Sequence, residues 1–267
     1  MPWTIDQTHK QQNIQQMKQI SMIAITAVML LASAGCKKDT VDPPVETPDN
    51  TITATVRMNY MFMNGTEAFA LNSTVLQDTN GVAVKLDSVR FFGSGVNAMD
   101  NADNSIGQYE SVYMLVDASQ MTNDFLLGEI HVPHIHQFHF NLGVDATANA
   151  ADPATAAPPL DDLSMYFVSQ QMGYKFLVVV GHADVDGDGV FEDPVRFECG
   201  MNAALTEAHA HVHHDLADGD TYTAQINVDL NGIFAGLDLA TAPTPNMHGP
   251  ECARMMLNLS AGIDGME

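Results

Sequence analysis

The chain has 267 residues, of which 33 are Asp or Glu and only 10 are Lys or Arg, so its formal net charge is −23 at pH 7. This balance argues against nucleic acid and anionic membrane surfaces as partners, because both select Lys and Arg patches, and it favours cations as ligands. Hydrophobic residues make up 46% of the chain, which is too many for a disordered protein. The sequence lacks the motifs GxGxxG, GxxxxGK(S/T), GxSxG, HExxH and CxxCH. We therefore expect a binding protein and not an enzyme.

Residues 1–35 have the features of a secretory signal peptide. A lysine precedes an apolar run that is too short for a bilayer span of about 20 residues, and small residues then lead into Cys36. Residues 1–16 are polar and add nothing to such a signal, so we take Met17 as the true start. This pattern predicts lipidation of Cys36; the alternative is ordinary secretion with a free thiol at this position.

Residues 36–50 follow as a lipidated cysteine and a flexible tether, since they are rich in Pro and acidic residues and have almost nothing to bury. Residues 51–267 are predicted to form a single domain. The expected location is the bacterial cell envelope, as a membrane-anchored lipoprotein that faces the periplasm or the cell surface. The lipid is then the only contact with the membrane.

The domain is predicted to be an all-β, sandwich-like fold with long loops and few short helices. Asn80 and Gly81 form a hairpin-turn signal, and residues 145–160 are Ala-, Pro- and Asp-rich, typical of a surface loop. Helical pattern is limited to 159–171 and 249–259. Short β-type segments between turn residues predict strands at 51–59, 82–89, 112–116, 135–142, 174–180, 195–199 and 221–230.

Two of the three cysteines remain if Cys36 carries lipid. Cys199 and Cys252 would then face each other in an oxidising compartment, which predicts a disulfide worth about 4 kcal/mol. The alternative is a pair of buried free thiols.

Eight of the eleven histidines fall into two clusters, within residues 131–139 and 209–214. On a strand, a spacing of two residues puts side chains on one face, and neutral imidazoles aimed into one space suit copper or zinc. The alternative is a solvated polar strand face in which His139 is simply hydrogen-bonded. The predicted copper ligands are His209, His211 and His213, with His134 or His136 closing the site.

Residues 184–193 resemble the start of a calcium-binding loop. Asp184, Asp186 and Asp188 alternate and are followed by Gly189 at the sixth position, as in loops that bind a hard cation with oxygen ligands. The twelfth position is Val and not the usual Glu, so Glu192 or its neighbour would have to substitute. The alternative is an acidic hairpin turn between two strands.

Several stretches, taken in order, resemble the MbnP-like family of secreted copper-binding proteins. The resemblance implies a β-rich secreted domain, copper handling and, in some members, a dihaem peroxidase-type partner. Most of the specificity lies in the LGVD and GYKF elements, which are separated by an Ala/Pro-rich loop. The matching stretches are 71–96 (LNSTVLQDTNGVAVKLDSVRFFGSGV), 138–145 (FHFNLGVD), 152–160 and 163–176 (LSMYFVSQQMGYKF).

The chain departs from this family in the stretch before GYKF, where the family usually carries Trp. Tyr166, Phe167 and Gln170 occupy the stretch here, and the single tryptophan, Trp3, lies in the predicted signal peptide. Copper chemistry based on an oxidised tryptophan, which some members use, is therefore impossible in the mature chain. Copper binding by the histidine clusters is a separate inference from residue type and spacing.

Two functions follow from these observations. The first is a lipid-anchored extracytoplasmic protein that captures or stores copper through its histidine clusters, with calcium in the acidic loop. The second is a calcium-stabilised structural or interaction module of the envelope without a copper function. A redox partnership with a haem enzyme is suggested by the resemblance alone.

Overall fold

The computed structural model describes residues 52–169 and 171–266. These residues contain twelve strands and two α-helices, joined by turns and loops. The predicted signal peptide, Cys36 and tether lie outside these residues. Three 3-10 turns cover Pro153–Thr155, Leu163–Met165 and Asn202–Ala204, and the helices are α1 (Ala146–Asn149) and α2 (Pro250–Ala261). The strands are β1 (Ala54–Asn64), β2 (Glu67–Ala68), β3 (Val75–Gln77), β4 (Ala83–Met99), β5 (Ser105–Asp117), β6 (Asn123–Ile130), β7 (His134–Leu142), β8 (Lys175–Asp184), β9 (Asp193–Gly200), β10 (Thr206–Asp215), β11 (Thr221–Asp229) and β12 (Ile263–Gly265).

The strands form two sheets, which confirms the all-β, sandwich-like prediction. The smaller sheet has the order β12-β11-β1-β2, with β6 paired to β1, and its central pair, β1 and β11, is parallel. The larger sheet has the order β10-β7-β4-β8-β9, with β3 and β5 also paired to β4. Strand β4 reaches so many partners because its first half pairs with β8 and its second half with β7.

The core between the sheets follows from the alternation of apolar and polar residues along the strands. In β11, Ala224, Ile226 and Val228 are fully buried, while the residues between them are partly exposed. Tyr60 of β1 packs edge-to-face on Phe91 of β4, with ring centroids 5.9 Å apart, and it packs in the same way on a phenylalanine of β7. Such aromatic pairs add to the energy of simple burial and hold the two sheets together.

All seven predicted strands overlap observed ones; the strands not among them are β2, β3, β6, β10 and β12, of which β6 shows why a long strand can escape the pattern. Gly128 in the middle of β6 has φ +145°, and the register with β1 shifts at this point. The shift breaks the period of two that marks a strand in sequence, which is why the pattern was missed.

The predicted helix over 159–171 is wrong, whereas the one over 249–259 is present as α2. The carboxylate of Asp162 accepts a hydrogen bond from the backbone N–H of Ser164 and pairs with Arg90 of β4. This cap starts the 3-10 turn Leu163–Met165, and the turn ends at Tyr166, whose backbone is extended and pairs with Tyr174 as an isolated β-bridge, so no helix continues to 171. The turn at Asn80-Gly81 is present, with Gly81 at φ +85°.

The predicted disulfide between Cys199 and Cys252 is present. It links the buried end of β9 to the first turn of α2, and Met255, Met256 and Leu259 of the same helix are fully buried. The C-terminal helix is therefore attached to the larger sheet both covalently and by packing. None of the helices among residues 52–169 and 171–266 has the length and apolar character needed to cross a membrane.

Candidate metal centre

The pairing of β7 with β10 brings the two histidine clusters together. The strands run antiparallel at one end of the larger sheet, with His209 opposite His139 and Asp215 opposite His134. Ala208, Ala210 and Val212 point into the core, so the histidines that alternate with them on β10 lie on the outer surface. Of the seven histidines on these two strands, six lie on this outer surface, and His214 instead stacks on Tyr222 of β11.

A β-bulge in β10 turns His213 towards β7. The register shifts by one residue between His211 and His214, so that Val212 and His213 together oppose His136. Val212 remains buried, and His213 takes a positive φ of 36°, which is uncommon for a residue other than glycine. The bulge therefore keeps the core continuous while it places the His213 ring on His136.

The first candidate site, which we call the three-histidine site, consists of His134, His136 and His213. Each offers a ring nitrogen within 4.8 Å of the others. The Nδ1 atoms of His136 and His213 are 3.0 Å apart, and their rings meet at 84°. The two nitrogens are at hydrogen-bonding distance, and a metal that displaces the shared proton could bind both of them.

His134 is oriented by a carboxylate. Its Nδ1 lies 2.8 Å from Oδ1 of Asp215, while its Nε2 is buried and has no hydrogen-bond partner among the residues that the structure describes. A carboxylate on one imidazole nitrogen commonly fixes the tautomer and ring orientation of a metal-binding histidine, leaving the other nitrogen to coordinate.

The second candidate site, which we call the histidine–glutamate site, consists of His139, Glu207 and His209. The two imidazole rings stack in parallel, with centroids 3.9 Å apart. Burial, followed by the charge of neighbouring His209, lowers the pKa of His139, although Glu207 acts in the opposite direction. The lowered pKa favours the neutral imidazole, which is the form that binds metals.

The predicted copper ligands are therefore divided between two sites and do not form one set. His213 joins His134 and His136, whereas His209 joins His139 and Glu207. His211 enters neither group: its ring is 6.1 Å from that of His136, and its Nδ1 lies 3.6 Å from Asp264. The reason is that cross-strand neighbours, about 5 Å apart, lie closer than residues two apart along a strand.

His139 and Glu207 were missed because the strand register cannot be read from local sequence. One signal was available: Glu207 alternates with His209 and His211, so a strand over this segment puts all three on one face. The two remaining clustered histidines have other contacts. The ring of His214 stacks on Tyr222 at 3.8 Å, and Nδ1 of His131 lies 3.2 Å from the hydroxyl of Thr53.

The acidic loop connects β8 and β9 as a hairpin. Asp184, Asp186 and Asp188 bring carboxylate oxygens within 4.8 Å of one another, and Asp184 also accepts hydrogen bonds from the backbone N–H groups of Gly187 and Gly189. Glu192 stands outside this group. Partial desolvation, followed by the negative charges of Asp188 and the other loop carboxylates, raises the pKa of Glu192. The loop thus has the features of both an acidic turn and a cation site.

Comparison with known proteins agrees with this architecture. The sequence profile of the MbnP family matches residues 51–252. The chain belongs to the MbnP family. A solved structure, MbnP from Methylosinus trichosporium, superimposes with a TM-score of 0.50 at 14% identity, covering 76% of this chain and 87% of that chain. At this identity the likeness shows the fold alone. No curated protein matches.

The LGVD and GYKF elements, on which most of the sequence resemblance rests, contact each other. Gly143 of the LGVD element follows β7, and Phe176 of the GYKF element lies in β8. A Cβ atom on Gly143 would lie 2.4 Å from the Phe176 ring, so the glycine is needed for this close approach. In the stretch where MbnP relatives usually carry Trp, Tyr166 and Phe167 line an open cavity together with Asp152 and Leu163.

Proposed function

We propose that this MbnP-family protein binds copper at the three-histidine site and captures or stores it outside the cytoplasm. The observation that carries the proposal is the convergence of His134, His136 and His213 from two paired strands, with Asp215 orienting His134. Membership of the MbnP family supports copper as the metal. In this proposal the protein has no catalytic role.

The chemistry of the ligands also favours copper. Imidazoles bind copper, zinc, iron and nickel, and for a given set of nitrogen ligands copper(II) binds more tightly than the other divalent metals of the first transition row. A net charge of −23 raises the local concentration of cations. The proposed site therefore has both the donor atoms and the electrostatic environment that copper capture requires.

We further propose that the protein is held in the bacterial envelope through a lipid on Cys36. The support comes from the sequence of residues 1–50 and from the Cys199–Cys252 disulfide, which is typical of oxidising compartments. A dihaem peroxidase-type partner is proposed from the family resemblance alone.

Loss of two ligands from the three-histidine site is expected to abolish tight Cu(I) binding. The double variant His136→Ala/His213→Ala leaves His134 alone, so the affinity for Cu(I) should fall by at least about 100-fold, beyond the loss caused by removing an outer-shell partner. The measurement is competition against a Cu(I) chelator of known affinity. The full chain is purified without a histidine tag, and its copper content is determined by elemental analysis.

The matched control for this test is His182→Ala. His182 is also partly exposed on a strand, but it pairs with Asp87 and lies outside both histidine sites. It should leave the copper affinity unchanged. Equal Cu(I) affinity in the double variant and the unmodified chain would overturn the site assignment, and copper that washes off the unmodified chain would overturn the function.

A second candidate function, a calcium-stabilised envelope module, is favoured by the three converging carboxylates of the acidic loop. If the loop binds Ca²⁺, a concentration 100 times the Kd stabilises the fold by about 2.7 kcal/mol. Removing Ca²⁺ with a chelator should then lower the melting temperature, and added Ca²⁺ should restore it.

The variant Asp186→Asn should be insensitive to both treatments, whereas Asp161→Asn, a change at an exposed carboxylate outside the loop, should respond like the unmodified chain. Identical melting curves with and without chelator would leave the loop as an ordinary acidic turn.

A further inference from the structure

We propose that the histidine–glutamate site is a second, separate metal site, which takes a divalent cation such as Zn²⁺ or Cu²⁺. Its ligands are Nδ1 of His139, Oε1 of Glu207 and Nε2 of His209. The two histidines are directly opposite each other in the β7–β10 register, and Glu207 lies two residues before His209 on the same face of β10. The assignment does not depend on copper at the three-histidine site.

The distances in this group fit metal ligands better than hydrogen bonds. Oε1 of Glu207 is 3.4 Å from Nδ1 of His139 and also 3.4 Å from Nε2 of His209. Hydrogen bonds between nitrogen and oxygen are usually 2.7–3.2 Å long. By contrast, ligand atoms about 2.05 Å from a tetrahedral zinc ion are separated from each other by about 3.3 Å. Oε1 of Glu207 is therefore separated from one nitrogen of each histidine by about the distance expected between two ligand atoms of one zinc ion.

The backbone around the group is fixed before any metal arrives. The carbonyl oxygen of Glu207 accepts a hydrogen bond of 2.7 Å from the hydroxyl of Ser260 in α2, which holds this part of β10 in place. His139 is mostly buried, and the stacked ring of His209 covers it. The His139 and His209 rings lie parallel, so binding one ion requires the half-exposed His209 side chain to rotate out of the stack.

The His139 ring can present either of its nitrogens to this group. Its Nε2 is buried without a hydrogen-bond partner among the described residues, so a ring flip would exchange one nitrogen that faces Glu207 for another equally able to coordinate. The site therefore offers an imidazole donor in either ring orientation.

The two sites are too far apart to share one ion or to form a bridged pair. His209 and His213 are four residues apart on β10, which corresponds to about 13 Å along a strand, whereas the ions of two-metal sites are about 4 Å apart. The donor sets also differ. A carboxylate favours divalent ions over Cu(I), while an all-imidazole site accepts both copper states. The β7–β10 pair would thus hold two metal ions, one at a site that accepts both copper states and one at a site that favours divalent ions.

The test is a Zn²⁺ titration of the tag-free full chain in which the three-histidine site is removed by His136→Ala/His213→Ala. Millimolar Ca²⁺ is present to occupy the acidic loop, and a chromophoric chelator reports free Zn²⁺. We expect one Zn²⁺ per chain to remain tightly bound in this background. Adding Glu207→Gln should weaken Zn²⁺ by at least about 100-fold, whereas Glu129→Gln, an exposed change on β6, should not.

Cu²⁺ gives a second readout that does not depend on folding yield. The His136→Ala/His213→Ala background should show one Cu²⁺ electron paramagnetic resonance signal, and Glu207→Gln should shift its hyperfine splitting. No stoichiometric Zn²⁺ in this background, or an unchanged affinity after Glu207→Gln, would overturn the second site. Copper binding by the unmodified chain would still stand in that case, so failure of this site and failure of the proposed function are distinguishable.

Discussion

Replacing Cys199 and Cys252 together with Ser is expected to lower the free energy of unfolding by about 4 kcal/mol. The disulfide joins residues 53 positions apart, and without it the unfolded chain gains the entropy of opening this long loop. The bond also fixes α2 to β9, and α2 contacts the β10 strand that carries the metal ligands. Urea unfolding followed by far-ultraviolet circular dichroism measures the change.

The control for this prediction is Cys36→Ser, which removes the remaining cysteine and should not change the urea midpoint of the domain. Reduction of the unmodified protein with a thiol reagent should reproduce the loss seen in the double variant. Midpoints that agree between the double variant and the unmodified protein would mean that packing of Met255, Met256 and Leu259 alone holds the helix.

The fold could be predicted well from the sequence because its signals are local. Alternation of apolar and polar residues marks a strand wherever one face is buried, as in β11, and Asp-, Gly- and Pro-rich segments mark the turns. The prediction failed where a local rule was overridden. Gly128 disturbs the alternation of β6, and the extended backbone of Tyr166, paired with Tyr174, ends the segment after one turn where a helix is expected over 159–171.

Only the residue types of the candidate sites, and not their grouping, could be predicted from the sequence. The residue types and the two clusters are evident in the sequence, but the grouping of ligands depends on which strand lies beside which and in what register. A single bulge at Val212-His213 decides that His213 meets His136. A one-residue change of register moves every side chain to the other face of a strand, so no pattern within β10 alone could have assigned His139 and Glu207 to one site.

Gly143→Ala is expected to destabilise the domain by at least about 3 kcal/mol, because it combines backbone strain with overpacking of the core. Gly143 has φ +119°, a conformation open to glycine, and an added Cβ would lie 2.4 Å from the fully buried ring of Phe176. The backbone cannot move aside easily. The N–H of Gly143 donates to the Phe92 carbonyl at 2.7 Å, and its own carbonyl accepts from Ser94 at 2.8 Å.

Gly65→Ala separates the two causes of this loss. Gly65 also has a positive φ, of 63°, but nothing lies within 4 Å of the Cβ position, so only backbone strain of about 1 kcal/mol is expected. Urea midpoints of both variants give the comparison, and Phe176→Leu combined with Gly143→Ala should recover part of the stability by making room. Equal losses for the two glycine variants would show that contact between the LGVD and GYKF elements is not what requires glycine at position 143.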